Sequence, residues 1–313
     1  MRIEDLQYDF SPKSPSDEKN WNREQWINEH PIDYFRMLYL INQSDYKAIQ
    51  TEIFNTIYKI IRLYIPNTLF KYYSLTENNA LNNKKFETLE NRKIYLSDIG
   101  SFNDPFDSKA FYYDPKQLST IERLKHVDGK LIDDFTTFIR STSLSANGVQ
   151  SMPMWAHYSN NHAGFCIAYD MKINPDLDMH TFPIQYTDER LDITSMMYSI
   201  AEKICKDIEH NMELNIKKTL LSDYRIVYTS VLLNNVKHSS WKYENEFRCT
   251  IPSNPKGSPY IKANPKEIYI GISCNDDNAK RLLTIGKHLN VPVYRMIFEE
   301  CNPEYKLSIN RLI

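Results

Sequence analysis

The run KHSSWKYENEFR, Lys237 to Arg248, sets two carboxylates, Glu244 and Glu246, two residues apart between two cations. If the segment from Tyr243 is a strand, alternate side chains face the same way, so Glu244, Glu246 and Arg248 share one face. Carboxylates that close repel, and the repulsion raises at least one pKa. That is a recurrent basis for acid/base work or for orienting a hydroxyl. Lys237 or Arg248 could neutralise the pair. The competing reading is a solvent-facing ladder of charges, against which Trp241 weighs because it sits beside the pair.

A second chemical run is SMPMWAHYSNNHAGFCIAYD, Ser151 to Asp170. Pro153 suits the first turn of a helix and Gly164 ends it, so a short helix is expected over roughly 154–161, followed by a strand. On that helix His157 and His162 are five residues apart and point about 140° away from each other. Paired helical metal ligands need a spacing of three or four, and Cys166 falls beyond the glycine, so no metal site is assigned here. Trp155, His157 and Tyr158 are read as one wall of a pocket. The alternative is a helix end whose aromatic and imidazole groups satisfy buried hydrogen bonds around Gly164.

Two further runs could contribute. SFNDPFD is a turn, with Asn and Asp side chains bonding nearby backbone and Pro105 fixing φ. Its Asp104 and Asp107 could join Glu244 and Glu246 around a divalent cation, with Lys237 assisting, as in metal-dependent nucleases. In RSTSLS, Ser141, Ser143 and Ser145 would line one strand face and offer hydroxyls to a ligand. No GxSxG elbow supports a serine nucleophile. The chain has only 7 Gly, without the cluster that a dinucleotide fingerprint or a P-loop requires.

The elements that must carry these groups are mixed. Tyr46, Ile49, Ile53, Ile57, Ile60 and Tyr64 recur at steps of three and four, predicting a helix between Ser44 as N-cap and Pro66 as stop. LFKYYS, RKIYLSDI, FCIAYD, FPIQYT, YENEFRCTIP, EIYIGISC, VPVYRMIFE and YKLSINRL read as strands. Residues 275–290 and most of 191–236 read as helical. The pattern is α+β: a helical N-terminal region, 1–66, then an α+β domain, 67–313, with a mixed or antiparallel strand core and a helical insertion at about 190–236.

Composition narrows the function classes. The 38 basic and 40 acidic residues of the 313 give a net charge of -2, with no broad footprint for duplex nucleic acid. No apolar run is long enough to span a membrane, and the first residues do not read as a signal peptide. Five scattered cysteines suit reduced thiols, so a cytoplasmic location is expected. The 22 tyrosines suit polar-lined cavities and interfaces.

Taken in order, LFKYYS, IYLSDIGSFNDPFD, MWAHYSNNHAGFCIAYD, KHSSWKYENEFR and EIYIGISC resemble a bacterial domain-of-unknown-function family with FNDPFD, MWxHYxxxHxGF and WxYExEFR signatures. The resemblance runs from about Leu69 to the C-terminus and implies a cytoplasmic stress or phage-defence component. A second resemblance is to ADP-ribosyltransferases. It matches Lys71 or the neighbouring Tyr72 to a first-strand Arg or His, Ser141-Thr142-Ser143 to a Ser-Thr-Ser strand, and Glu244-Asn245-Glu246 to a late Glu-x-Glu. Lys71 departs from the usual Arg or His. This likeness implies an NAD-using toxin or defence effector with a macromolecular acceptor. Glu246 would be the catalytic carboxylate, Glu244 its neighbour, and His157 and Lys237 would assist. Lys71, Tyr72, Ser143, Ser145, Trp155, Tyr158 and Trp241 would bind the nucleotide. Two rival expectations stand beside it: a metal-dependent nuclease or phosphohydrolase, and a non-enzymatic sensor whose helical N-terminal region binds a protein partner or self-associates.

Overall fold

Three helices open the described chain: α1 (Arg23–Glu29), α2 (Tyr34–Asn42) and α3 (Lys47–Leu63). The computed structural model describes residues 22–42, 47–102, 104–107, 109–130, 139–214, 224–253, 257–301 and 303–313, so the N-cap expected at Ser44 lies outside them. Along α3 the expected stripe is buried at Ile53, Ile57 and Ile60.

Next come β1 (Thr68–Tyr73), α4 (Asn79–Glu90), β2 (Lys93–Tyr95), β3 (Ser97–Asp98), β4 (Phe111–Tyr112) and α5 (Pro115–Leu118). They are followed by β5 (Ile139–Ser145), α6 (Met152–Tyr158), β6 (Phe165–Asp170), α7 (Pro175–Met179), β7 (Thr181–Pro183), β8 (Gln185–Thr187) and β9 (Leu191–Asp192). The insertion is largely α8 (Thr194–Glu213) and α9 (Tyr224–Leu233), after which come β10 (Val236–His238) and a 3-10 turn over Ser239–Glu244. The chain closes with β11 (Glu246–Pro252), β12 (Tyr260–Lys262), β13 (Glu267–Ile270), α10 (Asp276–Leu289), β14 (Val293–Ile297) and β15 (Ser308–Arg311).

One large sheet has the order β15-β14-β13-β6-β1-β5-β11-β7, with β3 also on β5. Every pairing in it is antiparallel except β13 with β14. The protein is therefore α+β, as its sequence pattern indicates.

Strand alternation separates the two faces. On β6, Phe165, Ile167 and Tyr169 enter one core with Phe86 and Leu89 of α4 and Leu282 and Ile285 of α10. Cys166 and Ala168 enter another, with Trp155 of α6 and Tyr72 of β1. The same face, at the β11 end, is covered by α2, α3, α8 and α9 packed around Phe182 and Ile139. The N-terminal helices and the insertion thus share one core although about 130 residues of chain separate them. Between this helical cover and α6 the face stays open.

The sheet itself has a gap there. Along one edge β5 pairs with β1 at Ser145 and with β3 at Ser141 and Arg140. No strand pairing on that edge spans 142–144 among the described residues. A cavity of about 230 Å³ lies against this stretch.

Candidate functional site

Register places the chemistry. Ser145 stands opposite Glu246, and Ser143 opposite Arg248. Phe70 stands opposite Ser145 on the other side. Partners across a strand pair point to the same face, so Phe70, Tyr72, Ser143, Ser145, Glu246 and Arg248 all face the cavity side.

Glu246 is held from several directions. The Lys237 ammonium reaches its Oε2 at 2.9 Å, Arg248 Nε reaches its Oε1 at 2.8 Å, and the Ser143 hydroxyl donates to Oε1 at 2.6 Å. Its backbone N–H donates to the Tyr186 hydroxyl at 2.9 Å. Burial alone would push the carboxyl up. Arg248 and Lys237 more than offset that, and hydrogen bonds from Arg248 and Ser143 help hold it down at about 2.

Glu244 does not lie on the strand, contrary to the expectation of one shared strand face. It ends the 3-10 turn, and Asn245 follows in the left-handed region with φ 45°. Asn tolerates that conformation because its short polar side chain bonds locally. The reversal brings Glu244 back beside Glu246 rather than along β11. Lys237 then joins the two, with Nζ at 2.8 Å from Glu244 Oε2, and Tyr158 donates to Glu244 Oε1. Burial raises the Glu244 carboxyl above its usual range, against the pull of Lys237 and Tyr158. The two carboxylates are driven apart in acidity, the pattern expected where one group stays ionised and its neighbour holds a proton more readily.

Arg248 is fully buried and serves as a hub. Besides Glu246 it pairs with Asp107 of the FNDPFD turn and donates to the Asn234 carbonyl, at the end of α9, at 2.6 Å. Its guanidinium carbon lies 5.2 Å from the centre of the Phe102 ring. Asp107, expected as a carboxylate for a divalent cation, is instead paired with Arg248; Asn234 and Tyr186 were not foreseen as site residues. Their sole signal was polar residues inside apolar surroundings, such as Asn234-Asn235 after Val231-Leu232-Leu233.

Of the other expected residues, Tyr158 and Trp241 line the cavity with Met154 and Phe70. The centre of the Trp241 ring is 4.7 Å from Lys237 Nζ. Trp155 and His157 do not line it. One helical turn separates Met154 from Tyr158, so those two share the cavity side of α6. Trp155 turns into the core instead, donating to the Val149 carbonyl at 2.6 Å with Tyr72 edge-on at 5.2 Å. His157 is exposed, beside the rings of Tyr158 and Tyr243. The helix ends at Tyr158, and Asn160, Asn161 and His162 are all left-handed. His162 therefore never shares a helix with His157.

Lys71 is turned by the pleat to the face opposite Tyr72, Ser143 and Glu246. Its amine comes back into the gap beside β5, donating to Thr142 Oγ1 at 2.5 Å and to the Ser143 carbonyl at 3.3 Å. It reaches the cavity from behind, and burial lowers it to about 8. Among the described residues no carboxylate lies within ion-pairing distance of it. Ser145 lines the cavity and donates to the Glu244 carbonyl at 2.6 Å.

Fold and site together define an α+β protein with a cation-braced carboxylate pair at the foot of a cavity opened by a break in its main sheet. Residues 154–249 match the model of a family described as a protein of unknown function (DUF2971). The match runs from α6 into β11 and takes in Tyr158, Lys237, Trp241, Glu244, Glu246 and Arg248. It is narrower than the Leu69-to-C-terminus span of the sequence resemblance. No curated protein and no solved structure matches the chain. Among the described residues no helix is long and apolar enough to cross a membrane.

Proposed function

We propose that the protein is an NAD-using, ADP-ribosyltransferase-like enzyme. The observation that carries this reading is the hydrogen bond from Ser143 to Glu246 across the adjacent strands β5 and β11, with β1 next in order. Those three strands bear Tyr72, Ser143 and Glu246, one residue from each segment on which the resemblance rests. Glu246, ionised and held from behind by Arg248, is suited to accept a ribose hydroxyl and to stabilise positive charge developing at the anomeric carbon as nicotinamide leaves. Glu244, less acidic and bonded to Tyr158, is suited to orient the acceptor. Lys71, with no carboxylate at ion-pairing distance among the described residues, supplies a cation for a phosphate. Tyr72, like Phe70 and unlike Lys71, is on the face of β1 that the carboxylates share.

The residues fit part of such a ligand closely. A cavity of about 230 Å³ is below the roughly 300–1,000 Å³ of sites that enclose a drug-sized molecule. It suits a ring with its ribose. A shallower depression shares Phe70 and runs past Asn147–Ser151 and Tyr243, giving the remainder of a dinucleotide somewhere to lie. Under this reading the protein is a bacterial cytoplasmic effector of stress or phage defence with a macromolecular acceptor.

The rivals are less well served. A divalent ion at Glu244 and Glu246 would have to displace Lys237, whose ammonium already bridges them. Among the described residues no group of three or more His, Cys, Asp and Glu side chains is set to hold a metal ion. A closed core around Trp155 and Trp241 would favour the non-enzymatic sensor; Trp241 instead lines a cavity.

The test is nicotinamide release from NAD by purified protein, alone and with cell lysate as acceptor. Wild type should turn over, and Glu246→Gln should lose roughly 10²–10³-fold of the rate, as when one preorganised electrostatic group is removed. A wild-type protein that neither consumes NAD nor labels a target overturns the proposal, as does a Glu246→Gln variant with the wild-type rate.

A further inference from the structure

Two short strands outside the main sheet, β2 and β12, carry a pattern that the cavity does not use. Tyr95 stands opposite Tyr260, Ile94 opposite Ile261 and Lys93 opposite Lys262. Partners across a strand pair point to the same face, and successive residues point to opposite faces. Ile94 and Ile261 are buried in the core shared with α4 and α10. The other face therefore presents two tyrosines and two lysines together. All four are exposed, Tyr95 to 46% and Tyr260 to 39%. The tyrosine rings meet edge-on with centres 5.4 Å apart, and the Lys93 ammonium lies 5.9 Å from the centre of the Tyr260 ring. Like charges set directly opposite on a strand pair are destabilising, and nothing nearby offsets the lysines. The acids that flank β2 in the chain are committed elsewhere, Glu90 to Arg281 at 2.9 Å and Asp98 to Arg140 at 3.4 Å. Glu267, after β12, accepts the Tyr269 hydroxyl at 2.6 Å.

We infer that this face of β2 and β12 is a docking surface for a single-stranded nucleic acid, with bases on the Tyr95 and Tyr260 rings and phosphates at Lys93 and Lys262. Charge complementarity points to a polyanion, and the ring pair selects which one. A ring can stack only on a base that is not already stacked in a duplex, and every base has a face to offer, so such a surface takes single strands with little sequence preference. An acidic peptide would satisfy the lysines and leave the tyrosine pair without a use. At about 3.4 Å per residue the lysine pair sits about 7 Å along the strands from the tyrosine pair, so one nucleotide can reach both. Two residues past Tyr95 the chain arrives at Ser97, on the cavity wall. The surface does not depend on the NAD-using reading; under that reading the docked strand is the macromolecular acceptor.

The experiment follows the fluorescence anisotropy of labelled oligodeoxythymidylate and oligouridylate titrated with the full chain at several salt concentrations, with duplex DNA and polyglutamate as competitors. Wild type should bind at least one of the two strands, and both competitors should act at least tenfold more weakly than unlabelled strand. Tyr95→Leu with Tyr260→Leu should lower affinity roughly 5- to 150-fold for each base that stacks, whereas Tyr95→Phe with Tyr260→Phe should keep it. Lys93→Gln with Lys262→Gln should reduce the slope of log affinity against log salt by about 1.4, at roughly 0.7 for each phosphate on a single strand. All four side chains are exposed, so thermal unfolding of the variants should match wild type. A wild type that binds neither strand overturns the inference, and NAD consumption by that same protein would leave the proposed function standing. Leucine and phenylalanine variants that bind alike overturn it too, as does polyglutamate that competes on equal terms with unlabelled strand. Should the leucine variant unfold early, an unchanged salt slope in the lysine variant would equally overturn it.

Discussion

Replacing Lys237 by Met removes the ammonium that bridges Glu244 and Glu246 and substitutes an apolar chain of similar length. Lys237 is 6% exposed and its two partners are 3% and 4% exposed, so the carboxylates gain little from water when it goes. Breaking a buried ion pair by removing one member costs about 3–5 kcal/mol. The pair can escape part of that cost by taking up a proton, which gives the loss a pH signature. Above the ordinary carboxylate range the unfolded chain carries both groups ionised, whereas the folded variant holds one more proton. The unfolded state then binds fewer protons, so stability falls as pH rises, by up to about 1.4 kcal/mol per pH unit. In the wild type Glu246 is held at about 2, and its contribution is fully present above the unfolded carboxylate pKa. Urea unfolding followed by tryptophan fluorescence at pH 5, 6, 7 and 8 would read the difference. The expected deficit is small at pH 5, grows toward pH 8, and is largely cancelled by adding Glu244→Gln. A deficit below 1 kcal/mol at pH 8, or one of equal size at every pH, would refute the claim that Lys237 is there to balance two ionised groups.

Two other outcomes follow from named contacts. Because burial lowers Lys71 to about 8, its charge is present below that pH and lost above it. NAD affinity of the wild type should therefore fall as pH rises from 7 to 9.5, while Lys71→Gln binds roughly tenfold more weakly at pH 7 and shows no such fall. In Gly164→Ala the new Cβ would meet the Tyr73 carbonyl oxygen at 1.9 Å and the Ser159 carbonyl oxygen at 3.0 Å. Both are backbone atoms that cannot swing aside, so a loss of roughly 1–3 kcal/mol is expected, read as a lower urea midpoint with an unchanged m-value.

Elements with a strong period were legible. The apolar steps of α3 leave a repeat because one face is buried, whereas FCIAYD and the start of EIYIGISC show as short continuous apolar runs because both faces are buried. The helix α4 was not foreseen: Phe86 and Leu89 are its apolar buried residues, too few for a stripe. The acidic pair was visible, but its geometry was not. Reading Y-E-N-E as continuous strand ignored that Asn is the residue best able to reverse the backbone between two glutamates. The wall made by α6 was seen as a unit, yet which side chains reach the cavity depends on Trp155 docking under Tyr72, and no local pattern encodes that choice. Arg248 with Asp107 joins positions 141 residues apart, a pairing that exists only once the sheet has formed.

Arg248 has one further implication, for the order in which competence is acquired. Its partners come from the turn at Asp107, the end of the insertion at Asn234 and its own strand at Glu246. During synthesis β1 and β5 emerge first, carrying Lys71 and Ser143 but no charge balanced for work. Glu246 gains its bracing only after α9 has docked and β11 has taken its place beside β5. A chain stalled, truncated or misassembled at any of these three joints carries all the earlier motifs but lacks the braced carboxylate pair. Under the proposed function, the arginine would make completion of the fold a precondition for reactivity.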